Sequence, residues 1–269
     1  MFSALLLSLR EGLEAALIIG IVLAALKKIN RTDLRPWAWG GVLVAALLSL
    51  AVSFLLDRLG FSFQGKAEQI FEGLAMLSAA ALLTWMILWM QRHSASLKTE
   101  LEAQTAQAAI GRDKTAIFSL IFFAVFREGL ELSLFLLAAR LTASGNNTTL
   151  GALLGLALAA ALGWLIFSLS NRLSLQCFFQ VTNILLILFA AGLVGLAVRE
   201  LNEAGWIPEL IDHVWDFSPV LSEESTLGGI LKALFGYQSS PSLAAVIGYL
   251  LYLVTLGTRI LFPQKSLKK

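Results

Sequence analysis

The chain has 269 residues, of which 58% are hydrophobic and only 14% are charged, and its mean hydropathy is +0.79. These values exclude an ordinary soluble domain, and a formal net charge of +2 is too small to indicate binding to nucleic acid. The one cysteine, Cys177, can form neither an intrachain disulfide nor a CxxC pair. The composition therefore predicts a membrane protein whose long apolar runs are helices, because lipid offers backbone polar groups no partner.

Seven apolar runs are long enough to cross a bilayer as helices, which takes roughly 20 residues each. They lie at about residues 2–26, 37–56, 67–90, 115–139, 150–170, 177–198 and 242–262. The sequence therefore predicts an all-α polytopic membrane protein with seven transmembrane helices.

The segments between these runs differ in length and polarity. Residues 91–114 form a polar loop in which Glu100 and Glu102 indicate a short surface helix. Residues 199–240 form the longest segment, in which Ser222 and Glu223 favour the start of a further helix with acids at its positive end. Residues 241–269 contain the last apolar run and a basic tail.

The distribution of Lys and Arg predicts the orientation, because positive residues concentrate on the cytoplasmic side of a membrane. With the amino terminus outside, twelve Lys and Arg residues lie in the inner segments and five in the outer ones. We therefore expect a multi-pass protein, embedded in membrane lipid, with its amino terminus outside and its carboxyl terminus in the cytoplasm. On this assignment the 91–114 loop is cytoplasmic and the 199–240 segment is extracytoplasmic.

The string Arg-Glu-Gly-Leu-Glu occurs twice, at residues 10–14 and 127–131, each time inside an apolar run. The strings fall in the first and fourth predicted helices, so the units 1–90 and 115–198 contain three helices each. Because three is an odd number, the second unit would be inverted in the membrane. The expected architecture is an inverted repeat of three plus three helices with a final helix added, and such repeats commonly form a midplane binding site.

Helical geometry places the charged side chains of each string on one face, since Glu14 lies about 40° from Arg10 and about 60° from Glu11. Charges at this depth cost about 2.5–3.5 kcal/mol each, so they should face the protein interior together with partners. Gly12 points elsewhere and permits close approach of a neighbouring helix. The predicted site consists of five carboxylates, those of Glu11, Glu14, Glu72, Glu128 and Glu131.

These carboxylates leave a negative charge that protons or a cation must complete, with Arg10 and Arg127 compensating or gating the empty site. Ligands that are all hard oxygens suit Mg, Ca, Mn or ferric iron and disfavour copper(I). The alternative is that each Arg and Glu pair is purely structural. Repetition of the whole string in two helices favours the functional interpretation.

Further acids occur where the outer face is expected. Glu68 lies near the outer end of the third helix, and an anionic vestibule in the 199–240 segment would attract cations. The alternative is an ordinary solvated loop. The candidate residues that would receive a cation are Glu68, Asp212, Asp216, Glu223 and Glu224.

With these residues in view, the chain resembles the oxidase-dependent iron permeases, whose bacterial members form the permease of the Efe iron-uptake system. The doubled string is the specific part, and the similarity includes Phe71-Glu72-Gly73, Leu83-Thr84-Trp85-Met86 and Phe235-Gly236-Tyr237-Gln238. The resemblance implies seven spans, iron transport across the cytoplasmic (inner) membrane, and iron binding by Glu11, Glu14, Glu128 and Glu131. It also implies periplasmic partners that deliver or oxidise iron.

Iron is thus expected as the transported ion, without a tightly bound cofactor and without enzymatic activity. Two other classes share the charge pattern: a transporter of another hard divalent cation such as Mn, and a membrane enzyme with a carboxylate di-metal centre. A structural subunit is the third alternative. The sequence contains no nucleotide-binding motif, so ion gradients, membrane potential or coupled oxidation would supply the energy.

Overall fold

The computed structural model describes residues 1–60, 65–93, 97–110, 114–142, 148–168, 175–208, 211, 213–223 and 225–261. Within these residues the chain is helical and contains no strand, which confirms the all-α class. The helices are α1 (Phe2–Lys28), α2 (Arg35–Gly60), α3 (Lys66–His93), α4 (Leu97–Ile110), α5 (Lys114–Thr142), α6 (Thr148–Ser168), α7 (Leu175–Glu203), α8 (Thr226–Phe235) and α9 (Leu243–Leu261).

Among the described residues, four segments are long and apolar enough to cross a membrane: Thr32–Arg58, Lys66–Met90, Thr148–Ile166 and Thr182–Glu203. They belong to α2, α3, α6 and α7. The other expected spans are α1 and α5, which contain the charged strings, and α9, whose apolar stretch is the shorter Leu243–Arg259. The count of seven spans therefore stays a prediction.

The long helices pack in three main pairs, α1 with α6, α2 with α5, and α3 with α7, and α1 also crosses α5. The glycine of each charged string lies at one of these contacts. A Cβ atom on Gly12 would lie 2.7 Å from the Cβ of Ala159 in α6, and one on Gly129 would lie 2.6 Å from the Cβ of Ser49 in α2. Small residues let helices approach closely, as predicted for Gly12.

The contacts also fix the helix directions. α1 and α6 run parallel, because Gly151 at the start of α6 lies against Met1, and Gly163 further along lies against Ala16. α2 and α5 likewise run parallel, with Gly41 against Phe118 near their starts. The motif helices α1 and α5 run in opposite directions, because the end of α1 packs against the start of α5. That contact is the apolar cluster containing Val22, Leu26, Ile117 and Ile121.

Two boundaries differ from the sequence-based expectation. α7 continues to Glu203, so the first residues of the predicted outer loop are helical and include Glu200. α8 begins at Thr226 with Ser225 as its N-cap, whose hydroxyl accepts a hydrogen bond of 3.0 Å from the backbone N–H of Gly228. The expected start at Ser222 was therefore three residues early. Ser222 instead supplies a backbone carbonyl that accepts from the Ser225 hydroxyl.

Candidate cation site

The two charged strings meet where α1 and α5 cross. Glu11, Glu128 and Glu131 each offer one carboxylate oxygen, and these three oxygens lie within 4.8 Å of one another. All three residues are buried, with exposed fractions of 1%, 7% and 5%. Two helices with opposite directions thus bring carboxylates from both copies of the string into one group, which is the size of a metal-ion site.

Some carboxylate oxygens in this group lack hydrogen-bond donors. The Oε2 atoms of Glu11, Glu128 and Glu131 are buried and have no hydrogen-bond partner in the described part of the protein. A buried carboxylate oxygen without a donor is costly, because it has lost its water. Protons or a cation at this position would remove that cost.

Arg10 is the cation built into the first string, and it is completely buried. Its Nη1 donates to Glu11 Oε1 at 3.0 Å and also contacts the sulfur of Met86 at 2.9 Å. Its Nη2 lies 3.0 Å from Glu14 Oε1, a distance typical of an ion pair, but the two atoms lack the alignment of a hydrogen bond. Arg10 therefore contacts both glutamates of its own string and also Met86 of α3.

Arg127 occupies a different environment, although its string is identical. Its Nε donates to Glu131 Oε1 at 2.9 Å, and its side chain is 38% exposed. The guanidinium lies over the rings of Trp85 and Trp89, 5.1 and 4.9 Å from their centroids, which are cation–π distances. The second arginine is thus held by α3 aromatic rings at the edge of the site rather than enclosed within it.

Charge counting shows what the site can bind. Four motif glutamates face two arginines, and Glu14 interacts electrostatically with Glu131 and Arg127 as well as Arg10. With every carboxylate ionised, two negative charges remain, which matches a divalent cation. The donors are hard oxygens, so the group fits a hard dication such as Mn²⁺ and also the borderline Fe²⁺, and it gives no thiolate or imidazole for copper(I).

Glu72, predicted as a fifth carboxylate, is not brought to this group. It lies in the second turn of α3, where its acidic neighbours are Glu68 and Glu203. The α3 residue that reaches Arg10 is Met86, fourteen residues later, or about 21 Å along the helix. Presence within an apolar run did not indicate depth, because α3 begins at Lys66, so Glu72 lies near one end.

The acids predicted in the outer segment do not join the carboxylate group of Glu11, Glu128 and Glu131, and each has different local partners. Glu223 forms ion pairs with Lys232 at 2.7 Å and Arg199 at 3.6 Å and accepts from the Ser239 backbone N–H at 3.0 Å. Partial burial raises the pKa of Glu223, but these donors outweigh it and hold that pKa below its usual value. Its carboxylate therefore joins α7, α8 and the segment before α9.

Asp216 is exposed, and hydrogen bonding by the Ser218 side chain and by the Ser218 backbone N–H, the latter at 2.9 Å, lowers its pKa. Glu68 is exposed in the first turn of α3. Asp212 and Glu224, the other two acids predicted here, lie outside the described residues.

Sequence reasoning missed a cavity of about 710 Å³ between the α2–α5 pair and the α1–α6 pair. Glu11 and Glu128 lie at one end of this cavity, and Asp57 and Arg140 lie at the other. A signal was available, since Ser49, Ser53 and Asp57 recur every four residues and so share one face of α2. Further lining residues come from four helices: Gly12, Ala15, Ala46, Leu50, Phe54, Val125, Gly129, Leu132, Ser133, Leu136, Leu137, Thr148, Thr149, Ala152, Leu153 and Leu156.

Comparison with known proteins adds the family. The iron permease FTR1 family matches residues 1–264. The proteins named ferrous iron permease EfeU in Escherichia coli O6:K15:H31 (strain 536) and O157:H7 are each 38% identical over 269 residues, covering 99% of this chain and 97% of theirs. That of Yersinia pestis is 38% identical over 268 residues, covering 99% of this chain and 95% of its own. No solved structure matches the chain significantly.

Proposed function

We propose, because the chain belongs to the iron permease FTR1 family, that it carries ferrous iron across the cell membrane through a site formed by the two charged strings. The ferrous form follows from its relatives, which are named ferrous iron permeases. The site consists of Glu11, Glu128 and Glu131 as ligands, with Glu14 completing the charge. Arg10 and Arg127 compensate the empty site.

One observation carries this proposal: carboxylates from both strings converge within 4.8 Å in the protein interior, with unpartnered buried oxygens. A set of structural ion pairs would leave each glutamate satisfied by its own arginine. Here the second oxygens of three glutamates have no donor among the described residues. A divalent cation would provide both the missing charge and the missing partner.

We further propose seven spans in an inverted repeat, with the site near the membrane midplane. Exchanging α1 with α5 and α2 with α6 reproduces the same packing pairs, and α1 and α5 run in opposite directions. Glu128 lies fourteen residues from each end of α5, the depth expected for a midplane site. The pairs of equivalent contacts, Gly12 with Ala159 and Gly129 with Ser49, support the same relation.

The remaining parts of the transport cycle are assigned by chemistry. Iron would reach Glu11 and Glu128 from the cavity and leave past Glu131 and Arg127, as one helix pair moves against the other. With the orientation predicted from the Lys and Arg distribution, the amino terminus and the cavity mouth would face the outside of the cell membrane. Periplasmic proteins that deliver or oxidise iron are the partners this arrangement calls for.

A manganese transporter is the second candidate, since Mn²⁺ accepts the same all-oxygen ligands. Family membership favours iron over manganese. Neither the site nor the family favours an enzyme, because the similar proteins are named permeases.

Uptake of radioactive iron into proteoliposomes tests the proposal. Wild-type protein should accumulate iron under reducing conditions and less under oxidising conditions, with weak competition by Mn²⁺. If Mn²⁺ at the same concentration as iron suppressed iron uptake strongly, the transported ion would be assigned as manganese. Glu100→Gln, on the exposed surface of α4, should leave uptake unchanged and serves as the matched carboxylate control.

A further inference from the structure

The cavity beside the carboxylate group has the dimensions of a half-channel. From Glu128 to Arg140 it follows α5 for twelve residues, or about 18 Å. That is roughly half of a bilayer with a hydrocarbon core of about 30 Å. The cavity therefore connects the carboxylates with one face of the membrane.

Polar side chains mark the α2–α5 wall of this cavity along its length. Ser49 and Ser53 lie on successive turns of α2, and Ser133 on α5 donates to the Ser49 backbone carbonyl at 3.2 Å. Hydroxyls and carbonyl oxygens in such a row can replace part of the hydration shell of a moving cation.

The end of the cavity farthest from the carboxylates carries an ion pair. Arg140 Nη1 donates to Asp57 Oδ1, and this contact joins the last turns of α2 and α5. Both side chains line the cavity and are partly exposed, at 43% for Arg140 and 35% for Asp57. Exposed ion pairs are weak and reversible, so this one can open on the timescale of transport.

We propose that Asp57 and Arg140 form a latch at the mouth of this cavity and that Asp57 is the first carboxylate an arriving divalent cation meets. The cation competes with Arg140 for the Asp57 carboxylate, which frees the Arg140 side chain to move away from the mouth and admits the cation to the serine row. The inference rests on the proposed function for the identity of the cation, while the latch itself is a property of the cavity.

The test measures access to the cavity without requiring transport. In a protein whose lone cysteine is removed by Cys177→Ser, Ser133→Cys places a thiol in the cavity wall. Its reaction rate with a charged, membrane-impermeant thiol reagent applied from outside is compared in four backgrounds. These are the intact pair, Asp57→Asn, Arg140→Gln, and the charge-swapped Asp57→Arg with Arg140→Asp.

Either neutralisation should accelerate modification by roughly two- to fivefold, the shift that a weak exposed pair can hold, and the charge swap should restore the slow rate. Ala138→Cys is the control, since it is on α5 but fully buried in the α3–α7 core cluster. The latch is overturned if the rates do not change, or if Ala138→Cys accelerates equally, which would indicate general loosening of the fold. Modification only from the cytoplasmic side would overturn the outward mouth.

This assay separates the two proposals. Normal latch behaviour with no iron uptake by wild-type protein would leave the cavity assignment in place and remove the iron assignment. Iron uptake by wild-type protein with unchanged thiol rates would leave the iron assignment in place and remove the latch.

Discussion

The α2–α5 pair and the α1–α6 pair pack by equivalent glycine contacts, but the residues one turn beyond those contacts border a cavity in the first pair and a filled region in the second. Four residues after the Ser49–Gly129 contact, α2 and α5 carry Ser53 and Ser133, which line the cavity. Four residues after the equivalent Ala159–Gly12 contact, α6 and α1 carry Gly163 and Ala16. A Cβ on Gly163 would lie 2.8 Å from the Cβ of Ala16, so no space remains there.

The difference teaches how one repeated framework can be open on one side of its site and closed on the other. Serine, aspartate and arginine form a row of polar groups among the apolar residues of the α2–α5 side, from the carboxylates to the helix ends. An apolar cluster that contains Val22, Leu26, Ile117 and Ile121 fills the opposite side. A transporter with alternating access has to close the open side of its site and open the filled side. The small residues Gly163 and Ala16 would let the helices on the filled side move apart.

The largest effect is expected from removing carboxylates that join the two pairs. Glu11→Gln together with Glu128→Gln should lower iron flux by on the order of 100-fold or more, since loss even of a supporting metal-site contact costs 10–100-fold. Glu72→Gln should reduce flux far less, because Glu72 lies near the end of α3. Proteoliposome uptake with variants matched for yield measures both, and equal losses would contradict the placement.

The glycine contacts test whether both pairs need the same close approach. Gly12→Ala and Gly129→Ala should each lower the free energy of unfolding by roughly 1–3 kcal/mol, the usual cost of overpacking. Gly257→Ala on α9 has nothing within 4 Å of its new Cβ and should be neutral or slightly stabilising. Thermal unfolding in detergent provides the measurement. Equal behaviour of all three variants would show that the two contacts are not tight.

A large side chain in the cavity wall should fill the cavity and block the path of the cation. Ser53→Leu is expected to lower iron uptake several-fold without lowering Tm, because its side chain would occupy an existing cavity. Ala161→Leu, on an exposed position of α6, is the control and should leave uptake unchanged. Uptake that survives Ser53→Leu would show that cations do not pass through this cavity.

Neutralising either charge of the Asp57–Arg140 pair should change the affinity for iron, in opposite directions for the two residues. Asp57→Asn removes an attractive charge and should raise the KM for iron a few-fold, whereas Arg140→Gln removes a repulsive one and should lower it. Both effects should shrink as salt is raised. Initial uptake rates against iron concentration give the two values, and an unchanged KM in both variants would contradict an electrostatic role for this ion pair.

The smallest effect concerns Glu223, which lies outside both pairs. Its pKa is lowered in the folded protein, so its stabilising contribution is present above the usual value of 4.5 and is lost as pH falls through the lower folded value. Glu223→Gln should therefore lower Tm slightly at pH 7, with the deficit disappearing in acid. Tm measured across pH checks this, and a deficit that grew in acid would reverse the assigned sign.

Much of this framework could be predicted from the sequence. The apolar runs gave the long helices to within a few residues, because the bilayer sets their length. The doubled string predicted the convergence of Glu11, Glu128 and Glu131, because charges at that depth need shared partners. The close approach at Gly12 followed from its missing side chain.

Other features depend on how the helices are placed relative to one another. Glu72 lies in an apolar run but near the end of α3, and composition does not report that depth. Arg10 and Arg127 sit in identical strings, yet only tertiary contacts decide that Met86 borders one and two tryptophans hold the other. The pairing of Asp57 with Arg140 required knowing that α2 packs parallel to α5.

The central claim is that the carboxylates of the two strings bind iron together, and X-ray absorption on purified protein loaded with Fe²⁺ tests it most directly. The account predicts bound iron with an oxygen-only first shell in the wild type and its loss in Glu11→Gln with Glu128→Gln. Nitrogen or sulfur neighbours, or an unchanged spectrum in the double variant, would contradict it.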